Sequence, residues 1–141
     1  MPRPVNALIV DDEPHVVVLL ASLLKQLGVS TVWDAPDGTV GIQKVAAHNP
    51  DVVLLDLNLP QLDGLQVLEK LRADHPKLPI IVVSAQSTMR TMNRAQELGA
   101  LAYVLKFGPK SEVLNQLSAA FDRIAETPAV VPEGEKPAAP A

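Results

Sequence analysis

The chain has 141 residues, a length that fits one domain with a substantial core. Hydrophobic residues make up 48% and charged residues only 20%, which favours a compact globular fold, and the net charge of -4 argues against direct nucleic-acid binding. The lack of cysteine excludes disulfides, zinc–thiolate sites and thiol catalysis. Because no apolar stretch has the length of a signal peptide or a membrane span, we expect a soluble cytoplasmic protein with no membrane contact.

Strand-like and helix-like segments alternate along the chain. The strand-like runs occupy residues 5–10, 30–33, 52–55, 80–83 and 102–105. Within the first, third and fourth runs the residues are continuously apolar, which is typical of strands covered on both faces in a parallel sheet.

Five segments between and after these runs have helical character. In the first, apolar residues recur at helical spacing from Val16 to Leu27, and Gly28 supplies a stop. The others are predicted at residues 38–47, 64–73, 88–98 and 110–125, with Asp63 as the cap of the third helix. The alternation predicts a doubly wound (βα)₅ domain of the α/β class with a five-stranded parallel sheet.

The composition changes at Thr127. Prolines interleaved with alanine and a few charges cannot continue a helix or build a core. We therefore assign residues 1–126 to the domain and expect residues 127–141 to be a flexible tail or linker.

Carboxylates follow two of the apolar strands. Asp11 and Asp12 come directly after the first strand, and Asp56 ends the third. Since parallel strands end at the same edge of a sheet, these groups are expected to converge there, where like charges repel unless a hard cation such as Mg²⁺ binds. A simpler reading of Asp11 alone is a cap for the first helix.

Three further polar residues stand at the same edge. Asn58 lies two residues beyond Asp56, Ser84 follows the fourth strand, and Lys106 ends the fifth. Ligands of open parallel sheets bind beyond the carboxyl ends of the strands, so these residues complete the candidate site.

This ordered set resembles the response-regulator receiver family, the CheY-like phosphoacceptor domains of two-component signalling. The resemblance covers residues 5 to about 125 and includes the acidic pair, Asp56 with Leu59-Pro60 and Asp63-Gly64 downstream, Ser84-Ala85, Gly99-Ala100, and Lys106 after Tyr103. It implies a flavodoxin-like or CheY-like fold with strand order 2-1-3-4-5.

The resemblance also implies a role for each residue of the site. Asp56 accepts a phosphoryl group from a histidine kinase or histidine phosphotransfer protein. Mg²⁺ is held by Asp12 and Asp56, with Asp11 acting through water and the backbone carbonyl of Asn58 completing the site. Lys106 supplies a fixed positive charge to the phosphoryl group.

Two residues are implied as a conformational switch. Ser84 donates a hydrogen bond to the phosphoryl group once Asp56 is modified, and Tyr103 then turns inward. The fourth helix, fifth strand and fifth helix form the expected output face toward a protein target. The resemblance implies a monomer or a weak, phosphorylation-dependent dimer.

Several alternatives remain at this point. The chain is a stand-alone regulator, a relay intermediate, or a receiver cut from a larger regulator such as a transcription factor or hybrid kinase. An aspartyl-phosphate hydrolase also uses a strand-end aspartate with Mg²⁺, but it needs a second acid where this chain has Asn58. A nucleotide-binding flavodoxin-like domain is disfavoured because no glycine-rich phosphate loop follows the first strand.

The loop after Lys106 departs from many receivers, in which proline follows the lysine directly. Here the order is Lys106-Phe107-Gly108-Pro109, so we expect a trans peptide, with Gly108 absorbing the altered loop.

The first helix has apolar residues outside its buried stripe. Val17, Val18 and Ala21 lie where a solvated face is normally polar. Because this helix docks on the kinase or phosphotransfer protein in the family, we predict that they form the docking patch.

Overall fold

The structure is a computed structural model that describes residues 4–60, 62–85 and 88–126. Five strands alternate with five helices. The strands are β1 Asn6–Val10, β2 Thr31–Ala35, β3 Val52–Leu55, β4 Ile80–Ser84 and β5 Ala102–Leu105. The helices are α1 Pro14–Gln26, α2 Gly38–His48, α3 Gly64–Asp74, α4 Met89–Glu97 and α5 Lys110–Glu126.

All five strands are parallel and form one sheet in the order β2-β1-β3-β4-β5. The predicted fold class and strand order are therefore confirmed. β3 and β4 are buried along their whole length, and β1 from Ala7 onward, as their continuous apolar runs indicate. The order places β1 beside β3, so the ends of these two acidic strands are neighbours.

The core consists of a layer on each side of the sheet. Ile9, Leu54 and Val83 point to the side of α1 and α5, where Leu24 and Phe121 pack against them. Alternate strand residues point to the other side, toward α2, α3 and α4, and bury Leu68 and Leu71. A β-strand alternates its side chains between faces, so one apolar run serves both layers.

The helix ends follow from local sequence. Pro14 occupies the first turn of α1, and Gly28 with a φ of 97° ends that helix as predicted. Asp63 caps α3 through hydrogen bonds from the backbone N–H groups of Leu65 and Gln66, and the Gln66 side chain accepts from the Asp63 N–H. The predicted cap of α3 is thus confirmed.

The predicted boundaries differ from the observed ones mainly at β2, which extends to Ala35. This is an edge strand with a mixed burial pattern, so Asp34 stays exposed and breaks the apolar signal. Trp33 of β2 stacks on His48 at the end of α2, with ring centroids 4.5 Å apart.

Residues 127–141, predicted as a tail, lie outside the described residues. Within the described part of the chain, no helix is both long and apolar enough to cross a membrane.

Candidate phosphoacceptor site

The end of β1 places two acidic side chains in different environments. Asp11 is only 3% exposed, its N–H donates to Ala35 in β2, and its Oδ1 accepts from the Glu13 N–H at 2.9 Å. Asp12 is exposed. The capping alternative for Asp11 is not supported, because α1 has Glu13 at its N-cap and no side-chain cap. Asp11 therefore points into the site.

The end of β3 buries Asp56 directly beside Asp11. Its N–H donates to Val10 in β1, its Oδ1 accepts from the Asn58 N–H at 3.1 Å, and the residue is 2% exposed. Gly64 fixes the loop that follows, since a Cβ there would overlap Leu57 and come within 2.5 Å of the Asp56 carbonyl oxygen. Glycine is required at this close approach.

Lys106 joins the acidic strands from the far side of β4. Its N–H donates to the Ser84 carbonyl at 2.8 Å, which extends the β4–β5 pairing to the sheet edge. Its Nζ then lies 2.9 Å from Asp56 Oδ2 and 3.0 Å from Asp11 Oδ2. The strands β3 and β4 lie between β5 and β1, so only a long side chain at position 106 can reach the end of β1.

Glu13 is the site residue that the sequence reasoning missed. Its Oε1 lies 2.6 Å from Lys106 Nζ, closer than either aspartate oxygen. The available signal was a third acid in a row after Asp11-Asp12. The contact joins residues 93 positions apart, and only the three-dimensional path of the lysine side chain reveals it.

The charges of the site perturb each other. Burial raises the pKa of Asp56, although hydrogen bonds from Lys106 and the Asn58 N–H act in the opposite direction. Burial would lower the pKa of Lys106, but hydrogen bonds to Glu13 and Asp56 and the nearby Asp11 outweigh it, and that pKa is raised. The hydrogen bond to Lys106 lowers the pKa of Glu13. Lys106 is accordingly the charge that holds the cluster together.

The donor set fits a hard divalent cation. Oxygen atoms of Asp11, Asp12, Glu13 and Asp56 lie within 4.8 Å of one another. Asp11 Oδ2 is buried and accepts no hydrogen bond from the described residues, although Lys106 Nζ is at ion-pair distance. One ammonium group offsets only part of the charge of several adjacent carboxylates, and Mg²⁺ prefers such carboxylate ligands.

The other predicted site residues lie around this cluster. Ser84 is fully buried at the end of β4, and Asn58 is exposed above Asp56. Tyr103 is partly buried on the side of α4, where it lines a groove of about 290 Å³ with Met89 and Met92. The structure thus brings together Asp11, Asp12, Asp56 and Lys106, with Ser84 on the strand between them and Tyr103 farther out.

The loop after Lys106 has a trans peptide, as predicted, since the described residues contain no cis bond. Gly108 does not have a positive φ, and its role in accommodating the altered loop stays a prediction. Phe107 is 66% exposed, and its ring centroid lies 5.7 Å from Lys106 Nζ.

The predicted docking patch on α1 is only partly a free surface. Val18 is 70% exposed and lines a shallow groove with Ala21, Ser22 and Lys25. Val17 and Ala21 are half-buried and pack against the core on the α1 side of the sheet. Helical period explains this, because both lie at the margin of the buried stripe.

Comparisons with known proteins agree with this architecture. The sequence model of the response regulator receiver domain matches residues 7–118. The probable transcriptional regulatory protein TcrX of Mycobacterium tuberculosis is 34% identical over 125 residues, which are 89% of this chain and 53% of TcrX. The chain therefore spans about half the length of that relative.

Solved receiver structures have the same fold. The BeF3-activated receiver domain of Klebsiella pneumoniae RstA is 29% identical, covers 82% of this chain and 97% of its own, and has a TM-score of 0.74. A chain of the CheX-CheY-BeF3-Mg²⁺ complex of Borrelia burgdorferi is 27% identical, with 84% and 90% covered and a TM-score of 0.78. Family match, fold and the acid–lysine cluster agree: the chain belongs to the response regulator receiver domain family of two-component signalling.

Proposed function

We propose that Asp56 is the phosphoacceptor of this receiver domain and receives its phosphoryl group from a histidine kinase or histidine phosphotransfer protein. The observation that supports this most directly is the 2.9 Å contact of the buried Asp56 Oδ2 with Lys106 Nζ, beside the acidic pair of β1. A carboxylate is a competent nucleophile toward phosphorus only where nearby cations offset the charge of both partners.

The transfer exchanges one bond to phosphorus for another. A carboxylate oxygen of Asp56 forms the new O–P bond, the P–N bond of the phosphohistidine breaks, and the imidazole leaves with the bonding pair and takes a proton. Lys106 stays within reach of the phosphoryl oxygens and stabilises their charge.

Asp11, Asp12, Asp56 and the backbone carbonyl of Asn58 would hold Mg²⁺, and the acidic cluster supports this assignment. When bound, the ion supplies positive charge to the phosphoryl oxygens.

The phosphorylated state acts through a protein surface. Ser84 ends β4 beside Asp56 and would donate to a phosphoryl oxygen. Tyr103 lies two residues before Leu105, the register partner of Ser84, and its groove with Met89 and Met92 on α4 is the surface that we assign to the downstream protein. A shift of Ser84 is thereby coupled to the α4–β5–α5 face.

We propose a switch that assists its own phosphorylation and dephosphorylation, and no turnover of external substrates. Asn58 supports this, since its amide cannot exchange protons where an aspartyl-phosphate hydrolase needs an acid. Residues 1–126 form the receiver in this proposal, and residues 127–141 form a flexible tail or linker. We also propose that the protein is cytoplasmic and is a monomer or a weak phosphorylation-dependent dimer. It acts either as a stand-alone protein or as part of a longer regulator.

Incubation with acetyl phosphate and Mg²⁺ tests the acceptor. Intact mass spectrometry should detect a single phosphoryl adduct that requires Mg²⁺ and is absent from Asp56→Asn. Asp34→Asn is the matched control, because this exposed aspartate of β2 undergoes the same chemical change away from the cluster. An adduct that persists in Asp56→Asn, or no adduct on the unsubstituted protein, contradicts the proposal.

The docking patch is tested separately at Val18, its most exposed member. Val18→Glu should slow phosphotransfer from the cognate kinase or phosphotransfer protein by roughly tenfold or more, because it places a charge in an apolar contact. Modification by acetyl phosphate should stay unchanged. Val5→Glu is the control, since this valine is also exposed but precedes β1 and is not part of α1. Equal rates of phosphotransfer to Val18→Glu and to the control would show that Val18 of α1 is not part of the interface with the kinase or phosphotransfer protein.

A further inference from the structure

Glu13 differs from the other carboxylates that contact Lys106. Its side chain is 38% exposed, whereas those of Asp11 and Asp56 are each 1% exposed. Its contact is also the shortest, at 2.6 Å. Of the three carboxylates that contact Lys106, the one of Glu13 therefore faces solvent, while those of Asp11 and Asp56 are enclosed.

The backbone of Glu13 is fixed independently of this contact. Its N–H donates to Asp11 Oδ1 at 2.9 Å, and Pro14 follows directly as the first residue of α1. The side chain makes no capping hydrogen bond to the helix. The Glu13 carboxylate is consequently able to move away from Lys106 without disturbing α1.

Lys106 Nζ is already surrounded by oxygen. The carboxylates of Glu13, Asp56 and Asp11 each place one oxygen within 3.0 Å of it. A phosphoryl oxygen on Asp56 can approach the ammonium only where one of these oxygens withdraws. Glu13 is the one that regains water when it leaves, so its release costs the least.

We propose that Glu13 is a positioning residue that holds Lys106 in the resting state and is the carboxylate displaced by the incoming phosphoryl group. The inference rests on the proposed acceptor role of Asp56. Glu13 sets how readily the site accepts phosphate, because its negative charge occupies the lysine and repels an anionic donor. The same charge contributes to cation binding, since one carboxylate oxygen of Glu13 belongs to the acidic cluster.

Glu13→Gln separates these two effects. At saturating Mg²⁺ the rate of modification by acetyl phosphate should rise about three- to tenfold, the size expected from removing one close like charge. The Mg²⁺ affinity, measured by calorimetry without any phosphodonor, should fall about two- to fivefold for the same reason. Phosphoramidate is the less highly charged donor, so Glu13→Gln should increase the rate of modification by phosphoramidate less than the rate of modification by acetyl phosphate.

Glu69→Gln is the matched control, because it makes the same change of net charge at an exposed position on α3. A general loss of structure lowers both the rate and the Mg²⁺ affinity, so opposite shifts cannot arise from it. If Glu13→Gln does not fold, Glu13→Met has a similar length without the charge and the same expected shifts.

A rate equal to or below that of the unsubstituted protein, with Mg²⁺ saturating, overturns the role of Glu13. Failure of the unsubstituted protein to form an adduct at Asp56 would instead overturn the acceptor assignment on which it rests.

Discussion

At the scale of single residues, Asp56 stands out because it destabilises the fold at rest. It is 2% exposed, lies next to Asp11, and burial raises its pKa, so its ionised form is disfavoured in the folded chain. Lys106 offsets part of this cost through one hydrogen bond. Perturbed pKa values of this kind cluster at functional sites in proteins.

Replacement of Asp56 by asparagine should therefore stabilise the protein in metal-free buffer. Because the pKa of Asp56 is raised on folding, folding is opposed wherever this carboxylate is ionised, which includes neutral pH. We expect the free energy of unfolding in urea with EDTA to rise by about 1 kcal/mol, a typical size for one substitution. Added Mg²⁺ should narrow the difference by stabilising the unsubstituted protein. Lower stability of Asp56→Asn in EDTA, with Asp34→Asn unchanged, would contradict this account.

At the scale of elements, the start of α3 determines the shape of the loop after Asp56. Gly64 donates its N–H to the Leu57 carbonyl at 3.0 Å and lies too close to Leu57 for any side chain. Asp63 satisfies the free N–H groups of the first turn. Cap and glycine together draw the loop against the end of β3.

Loss of this cap should lower stability without removing the acceptor chemistry. Asp63→Ala leaves the N–H groups of Leu65 and Gln66 without their acceptor, so we expect about 1 kcal/mol less unfolding free energy by urea denaturation. Asp63→Ser keeps a capping oxygen and should retain most of the stability. The adduct at Asp56 should still form in both variants. Equal stability of the alanine and serine variants would show that the cap does not contribute.

The elements also show where sequence reasoning succeeds. Continuous apolar runs predicted β1, β3 and β4, and the acids and lysine at strand ends predicted which residues meet at one edge. A strand end has a fixed place in a parallel sheet, so a residue type there is informative without coordinates. The apolar runs predicted most of the fold, and the strand-end positions predicted four of the five charged residues that meet at the site.

Side-chain reach accounts for what was missed. Glu13 contacts Lys106 only because two loops bring their side chains to one point, which no local pattern encodes. On α1 the period of the helix indicated the exposure of Val18, but whether Val17 and Ala21 pack or face solvent depends on the width of the buried stripe. Contacts of this kind depend on distances of a few ångströms between distant segments.

At the scale of the whole molecule, Lys106 links β5 to β1 and β3 across the sheet edge. The pKa of Lys106 is raised above its usual value of 10.5, so its stabilising contribution is fully present below that pH. It is lost as the pH rises through the folded-state pKa, where the ammonium loses its proton. The strand ends are therefore held together best at neutral and mildly alkaline pH.

Lys106→Met should lower the free energy of unfolding at neutral pH. It should also reduce the loss of unfolding free energy that occurs as the pH rises into the alkaline range. Removal of one partner from a buried charge cluster costs about 3 kcal/mol, and the substitution leaves the carboxylates unopposed. Lys25→Met on α1 is the control for charge and length, since Lys25 is exposed. Urea unfolding from pH 7 upward compares them. If the free energy of unfolding falls as steeply with alkaline pH in Lys106→Met as in the control, Lys106 does not link stability to pH.

The stacking of Trp33 on His48 has a spectroscopic consequence. The chain contains a single tryptophan, and it lies on the edge strand β2 against the end of α2. Intrinsic fluorescence therefore reports the integrity of that edge of the sheet. A silent emission signal on adding Mg²⁺ would be uninformative about the acidic cluster, so occupancy there needs a probe at the carboxyl ends of β1 and β3.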